Sequence, residues 1–456
     1  MIRLLRRVVL LGAVVVAAVL ALLQFLGRRG APLTPTQSTA RRQAKEERIN
    51  VNRWIFRIAA LLVLAAFGGF LFAATGIMPI KASSGHWPIT AWFLNFAMRR
   101  SVVTHSLATK PPPLDDDALV LKGAGHYEIG CRPCHGSPDL SLQPRIAQWM
   151  TPHPPNLAQE VPKWDAAELF YIVKHGVKFT GMPAWPAQKR DDEVWAMVAF
   201  LLTLPTLTGE DYRRLARGEE ATARADAPMG ELSESEKPPL IVKENCARCH
   251  SADGGGRGRG AFPKLAGQKP HYFAASMQAY ALGQRSSGIM EPIAVALSQE
   301  DRAELARYYA ALGSKSGIEK EQRSLARIVE SPPESESQNP KSTQVSARTL
   351  LERGASAMGE KPVSAVERGR EIAMSGIPGQ RVPACVECHG PSDFARNPNY
   401  PTLAGQYADY LVLQLTLFKN QARGGTAYAH LMRPVAAGLT PEQMRDVAQF
   451  YESLQK

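Results

Sequence analysis

The sequence predicts an all-α fold of three small helical domains in tandem behind N-terminal transmembrane helices. Three observations carry that prediction. The pentad Cys-x-x-Cys-His occurs three times, as Cys131-Arg-Pro-Cys134-His135, Cys246-Ala-Arg-Cys249-His250 and Cys385-Val-Glu-Cys388-His389, and these use all six cysteines of the 456-residue chain. Each pentad is followed, in the same order, by a Pro-x-Leu, a Met beside a proline and an amphipathic closing helix. Two charge-free apolar stretches, residues 8–27 and 58–80, come first, and about 20 apolar residues suffice to span a bilayer.

The pentad is the attachment signature of c-type haem. Two thiols three residues apart on one helical turn reach the two vinyl groups of a porphyrin, while the adjacent His ligates iron. A structural zinc site needs two ligand pairs close together, but these pairs are over a hundred residues apart and each carries its own His. A disulfide exchanger needs one pair at a strand-to-helix junction, without an obligatory His. Cys131, Cys134, Cys246, Cys249, Cys385 and Cys388 are therefore the expected attachment points of three covalently bound haems. His135, His250 and His389 are the expected proximal iron ligands.

A second axial ligand should follow each pentad at a similar distance. Met182-Pro183, Met290-Glu-Pro292 and Met432-Arg-Pro434 do so, and Pro155, Pro263 and Pro401 open the Pro-x-Leu that precedes each Met by 27, 27 and 31 residues. A ligating imidazole donates its other N–H to an acceptor that fixes the ring, and the carbonyls of these three prolines are the expected acceptors. Eighteen residues beyond each Met stands an aromatic, Phe200, Tyr308 or Phe450, in a segment with apolar residues at three- and four-residue steps and acidic residues near its start. Ser298 and Thr440 are natural N-caps. Met150, Met277 and Met374 lack this register and are expected to pack in the core. His430, two residues before Met432, is the leading candidate for a bis-His substitute.

On these residues each segment resembles a class I cytochrome c domain, a small all-helical fold with haem held between the pentad helix and the Met loop. The resemblance covers residues 115–205, 238–313 and 362–456. The second and third segments share Pro-x-Leu-Ala-Gly-Gln, at Pro263 to Gln268 and Pro401 to Gln406, and a basic loop with Arg285 or Arg423; as a pair they resemble the dihaem cytochrome c-four family. The first segment is a more distant relative. The second departs from the pattern with Ser251 where a Gly usually follows the His, and Pro238-Pro239 shorten its opening helix, so a more exposed haem is expected there.

The remaining divisions are a first span with a basic segment (1–57), an anchor (58–80), an aromatic segment and linker (81–114), and linkers 206–237 and 314–361 whose Glu, Ser, Ala and Pro content predicts partial domain mobility. Residues 1–57 hold eleven Lys or Arg against two Asp or Glu, so most of the net charge of +12 reports membrane orientation rather than a nucleic-acid surface. The positive-inside rule places the basic segment in the cytoplasm and the haem domains on the periplasmic face of a bacterial inner membrane. The same arrangement puts Arg3, Arg6 and Arg7 outside, against that rule, and a start at Val51 would remove the conflict. Trp87, Trp92, Phe93 and Phe96 beside Arg99 and Arg100 suit either a membrane interface or packing on the first haem domain. Asp253-Gly-Gly-Gly-Arg-Gly-Arg-Gly260 lacks the strand and helix of a phosphate-binding loop, and reads as a flexible loop whose arginines approach haem propionates.

His/Met-ligated iron has no open position, and thioether ligation raises its potential. The expected function is one-electron transfer, from a quinol-oxidising complex or a dehydrogenase to a terminal oxidase or soluble cytochrome. The haem subunit of cbb-type oxidases and the trihaem subunit of membrane-bound alcohol and gluconate dehydrogenases are similar in layout. The alternative is a haem enzyme, a peroxidase or sulfur-compound oxidase, in which one haem lacks its distal Met.

Overall fold

A computed structural model describes residues 35–77, 80–218, 238–312, 363–390 and 397–454. Among the described residues every regular element is helical; the only strand-like pairings are isolated bridges, Arg257 with Phe262 and Ile377 with Val382. The chain divides into two units, residues 1–81 and 82–456.

In the first unit helix α1 (Pro35–Ala74) contains the 22-residue stretch Arg53–Ala74, of mean hydropathy 2.3, which is long and apolar enough to cross a membrane. At 1.5 Å per residue it measures about 33 Å. Its Leu61, Leu62, Leu64 and Phe67 side chains are exposed. The helix stops at Ala74, short of the expected residue 80, where the amides of Thr75 and Gly76 turn back to Leu71 and Ala73 and Gly76 takes φ +70°. The apolar stretch 8–27 lies outside the described residues, as do 219–237 and all of the expected linker 314–361.

The second unit opens with α2 (Pro88–Ser106), whose first-turn proline gives up only an N–H that has no helical partner. Its C-terminal half packs on the first haem segment: Val102 is buried, Arg99 pairs with Glu160 at 3.0 Å and lies 4.6 Å above Trp164, and His105 stacks on Tyr171 at 5.5 Å. Its N-terminal half leaves Trp87, Trp92, Phe93 and Phe96 exposed. Packing on the first haem segment therefore holds for the C-terminal half of the helix.

The first haem segment is built on the crossing of α3 (Asp117–Gly130) with the closing helix α5 (Asp191–Thr203), and α4 (Ala166–His175) packs beside them. Asp116 caps α3, and Asp165 with Glu168 forms a reciprocal capping box on α4. The crossing is close because Gly123 faces the Ala196 carbonyl and the Phe200 Cβ, where a side chain of its own would lie 2.1 Å and 2.6 Å from them. Tyr127, Met197, Val198 and Phe200 fill the core. The linker expected from residue 206 begins later. Residues 209–217 form a helical turn and a π-helical turn on this core, with Tyr212 fully buried against Tyr127 and its hydroxyl donating to Glu128 at 2.7 Å. Arg217 adds ion pairs to Glu128 and Asp139.

His126 is buried in this core, 4.4 Å from the Trp185 ring. Burial, with a smaller contribution from the Lys122 charge, pushes its imidazole down to about 3. The unfolded chain takes up this proton near pH 6.5, whereas the folded protein resists it until about pH 3. Stability contributed by neutral His126 is thus complete above pH 6.5 and is lost as pH falls toward 3, by on the order of 3–5 kcal/mol. His126→Phe should flatten that slope in chemical-denaturation curves measured from pH 7 to 4; an unchanged slope would place the titration elsewhere.

In the second haem segment the opening helix is short, helical only from residue 240, as the Pro238-Pro239 pair predicts. Helices α6 (Pro270–Ala281), α7 (Met290–Ala296) and α8 (299–312) follow. Ser298 caps α8, exchanging bonds with Asp301 at 3.0 and 2.8 Å. Of the aromatic pair in α8, Tyr309 is fully buried against Phe273 and Tyr308 is half-buried. The third haem segment repeats the first: α9 (Ala365–Ser375) crosses the closing helix α12 (Pro441–Ser453), with α10 (Ala408–Lys419) and α11 (Ala429–Gly438) between them. Ser364 with Glu367 and Thr440 with Gln443 form capping boxes.

Candidate haem sites

Each pentad ends on a single helical turn, Arg132–His135, Ala247–His250 and Val386–His389. The residue after each His has positive φ: Gly136 at 71°, Ser251 at 62° and Gly390 at 74°. Ser251 carries a Cβ into a conformation where it is unfavourable. Ser251→Gly should raise the stability of the second segment by about 1 kcal/mol, readable as a higher Tm, less the bond its hydroxyl donates to the Gly256 carbonyl at 3.2 Å.

The imidazoles meet the expected acceptors. Nδ1 of His135 lies 2.9 Å from the Pro155 carbonyl, His250 2.9 Å from Pro263, and His389 3.0 Å from Pro401. That bond assigns the proton to Nδ1 and would leave Nε2 to coordinate a haem iron. Burial holds all three imidazoles below the usual histidine range, although the proline carbonyls act in the other direction. A neutral ring is what metal ligation requires. Burial also pushes the Cys131, Cys246 and Cys385 thiols up to about 12, 11 and 11. Such thiols are poor thiolates, the opposite of a disulfide exchanger.

One tyrosine per segment ties down the exit from the pentad: Tyr127 donates to the Gly136 carbonyl at 2.8 Å, Tyr308 to Ala252 at 2.9 Å and Tyr451 to Gly390 at 2.9 Å. Tyr308 and Tyr451 come from the closing helices α8 and α12, 18 and 19 residues beyond their Met, whereas Tyr127 comes from the opening helix α3, so no spacing common to all three announces them.

A continuous cavity gathers the second and third sites. Cys246, Cys249, His250 and Met290 line one part, and Cys385, Cys388, His389 and Met432 the other. His430 is exposed and turned to the Ala427 carbonyl, whereas Met432 packs inward against Phe418 and Ala429. Met277 is core, and Met374 is exposed rather than packed inside as expected. In the first segment Met182 sits in a loop closed by Val177 N–H bonding to the Met182 carbonyl and by the Thr180 hydroxyl. Met150 packs on that loop at Gly181.

The donor set fits haem. Beyond the thiols, imidazoles and thioethers, the shared cavity is lined by Arg285 and Arg423, whose neighbours are hydroxyl and amide oxygens: Arg423 bonds Gln414 at 2.6 Å and Tyr272 at 2.8 Å, and Arg285 reaches Tyr410 at 3.5 Å. Burial alone would raise the Tyr272 hydroxyl, but the Arg423 and Arg285 charges bring it down to about 8. Such an electropositive apolar pocket suits the two carboxylates of a porphyrin.

The segments interlock. Gln268 accepts from the Thr402 amide at 2.9 Å and donates to the Thr402 carbonyl at 3.2 Å; Gln406 does the same to Lys264, at 3.1 and 3.0 Å. Thr402 and Lys264 are the middle residues of the opposite Pro-x-Leu, so each glutamine of the shared motif holds the backbone that serves the other segment's His. Three expectations are corrected here. The segments are joined within one unit rather than mobile on their linkers, at least for the described residues. The glycine-rich loop is not a free arm toward propionates, because Arg257 donates to the backbone carbonyls of Arg248, Arg214 and Leu215 and so staples the second segment to the first. The second pentad is not the more exposed one: Cys249 and His250 are buried, since Gly125 of α3 and Phe262 close over it.

Fold and site together are those of a class I c-type cytochrome. The profile described as "Cytochrome C oxidase, cbb3-type, subunit III" matches residues 118–201, and that described as "Cytochrome c" matches 239–312 and 366–455. Cytochrome c-552 of Acidithiobacillus ferridurans is 30% identical over 51% of this chain and 80% of its own length. The thiosulfate dehydrogenase electron acceptor of Thiomonas intermedia is 29% identical over 45% of this chain and 76% of its own, and cytochrome c4 of Pseudomonas aeruginosa 27% over 57% and 98%. The chain belongs to the multihaem c-type cytochromes, electron-transfer proteins with covalently bound haem c.

Proposed function

We propose that this chain is a membrane-anchored trihaem cytochrome that carries electrons one at a time on the periplasmic face of a bacterial inner membrane. It accepts them from a dehydrogenase or a quinol-oxidising complex and passes them to a terminal oxidase or a soluble cytochrome. The observation that carries the reading is the threefold repeat of one geometry, a pentad His whose Nδ1 is pinned to a proline carbonyl at 2.9 to 3.0 Å. Six cysteines in three pentads supply attachment for three haems, with Met182, Met290 and Met432 as distal ligands.

When bound, His/Met-ligated haem exchanges one electron without an open coordination position. The chain's own part is to keep the imidazoles neutral and oriented, exclude water from the apolar pockets, and offset propionate charge with Arg285 and Arg423. Helix Arg53–Ala74 and the basic residues before it support the anchor and its orientation. Anaerobic redox titration of membranes, followed by co-purification of the partner, tests the reading. Three low-spin one-electron centres without a carbon monoxide shift are expected; a high-spin, carbon monoxide-binding centre would favour the enzymatic alternative.

A further inference from the structure

Glu193, in the first turn of α5, is 2% exposed and has four donors. Its carboxylate accepts from Trp185 Nε1 at 3.2 Å, Ser287 Oγ at 2.7 Å and the Gly288 amide at 2.7 Å, and pairs with Arg190 at 3.0 Å. Trp185 ends the Met182 loop of the first segment. Ser287 and Gly288 belong to the second segment and lead directly into Met290. The Ser287 hydroxyl in turn accepts the Met290 amide at 3.1 Å and the Ile289 amide at 3.3 Å, so a single oxygen links Glu193 to the backbone of Met290.

The surroundings are fitted to this contact. Arg190, held by Asp192 at 2.8 and 2.9 Å, donates across the boundary to the Ser286 carbonyl at 2.8 Å. A Cβ at Gly288 would lie 2.6 Å from Trp185 Nε1, so only glycine allows the indole and the amide to converge on one carboxylate. Charge-assisted hydrogen bonds in a buried site are strong and directional, and removing their acceptor leaves several buried donors without one.

We propose that Glu193 is a shared positioning residue that holds the distal-ligand loops of the first and second haems, so that the two sites are set together. The inference rests on the reading of Met182 and Met290 as iron ligands. A metal's outer partners orient its ligands and tune its potential, and here one carboxylate is the outer partner of two centres.

The test uses the full haem-loaded chain and the weak red charge-transfer band of the Met–iron bond, with the third haem as internal standard. Glu193→Gln should diminish the band and lower the potentials of the first and second haems while leaving the third unchanged. Ser287→Ala should affect the second alone, and hydrogen exchange at residues 288–290 should accelerate at least about tenfold in both variants. Full bands and unchanged exchange in both variants would overturn the proposal, as would an equal loss at the third haem, which marks general unfolding. Met182→Ala and Met290→Ala separate the two readings: if either leaves its band intact, the ligand assignment itself fails and the proposal with it.

Discussion

Replacing Met432 by Ala is expected to lower the potential of the third haem by on the order of 0.1–0.3 V, a fraction of the roughly 0.8 V that axial ligands command. It should also let carbon monoxide bind the reduced protein. A neutral thioether favours ferrous over ferric iron, and Ala leaves both a vacant coordination position and a gap beside Phe418, Ala429 and Ala436. His430 is a poor replacement, because it is exposed and would have to give up its bond to the Ala427 carbonyl and turn across the helix. Spectroelectrochemical titration with and without carbon monoxide reads both effects, and an unchanged spectrum would set the Met432 assignment aside.

Gly369→Val should unfold or severely destabilise the third segment. A Cβ at Gly369 would stand 1.9 Å from the Asp446 carbonyl oxygen and 2.4 Å from its carbon, and these are backbone atoms of α12 that cannot rotate away. Separating α9 from α12 would also break the bidentate Arg368–Asp446 pair at 2.8 and 2.7 Å and expose Phe450. Overpacking of this kind costs at least about 3 kcal/mol, equivalent to a fall of at least about 12 °C in Tm for a segment of this size. Thermal unfolding followed at the haem absorption checks it; a fall of only a degree or two would mean that the helices do not touch here. Gly123 occupies the same place against Ala196 in the first segment, so the corresponding substitution there should act alike.

The pentads, the proline acceptors, the ligand loops and the closing helices were legible in the sequence because each is a local requirement of haem chemistry, repeated three times at nearly constant spacing. Pro155, Pro263 and Pro401 could be named as partners of His135, His250 and His389 because the need for a second-nitrogen acceptor is general. What escaped is the joining of segments. Glu193 and Ser287 are 94 residues apart, Gln268 and Thr402 134, and no periodicity links them. Glu193 looked like an ordinary acidic residue opening a helix, and Arg257 like part of a loose glycine-rich loop, since their partners lie in other segments. Tyr212 lies past the point where the apolar stripe of α5 ends, and its aromatic ring among charged residues is the only local clue to its burial.

The reciprocal glutamine clasp has a consequence for biosynthesis. Gln406 is synthesised 142 residues after Lys264, the residue it grips. Until the last segment emerges and folds, the backbone carrying the His250 acceptor lacks this support. The clasp therefore closes for the second and third segments together, although the second is made first. Protease susceptibility of the middle segment should therefore persist until the last segment has folded against it.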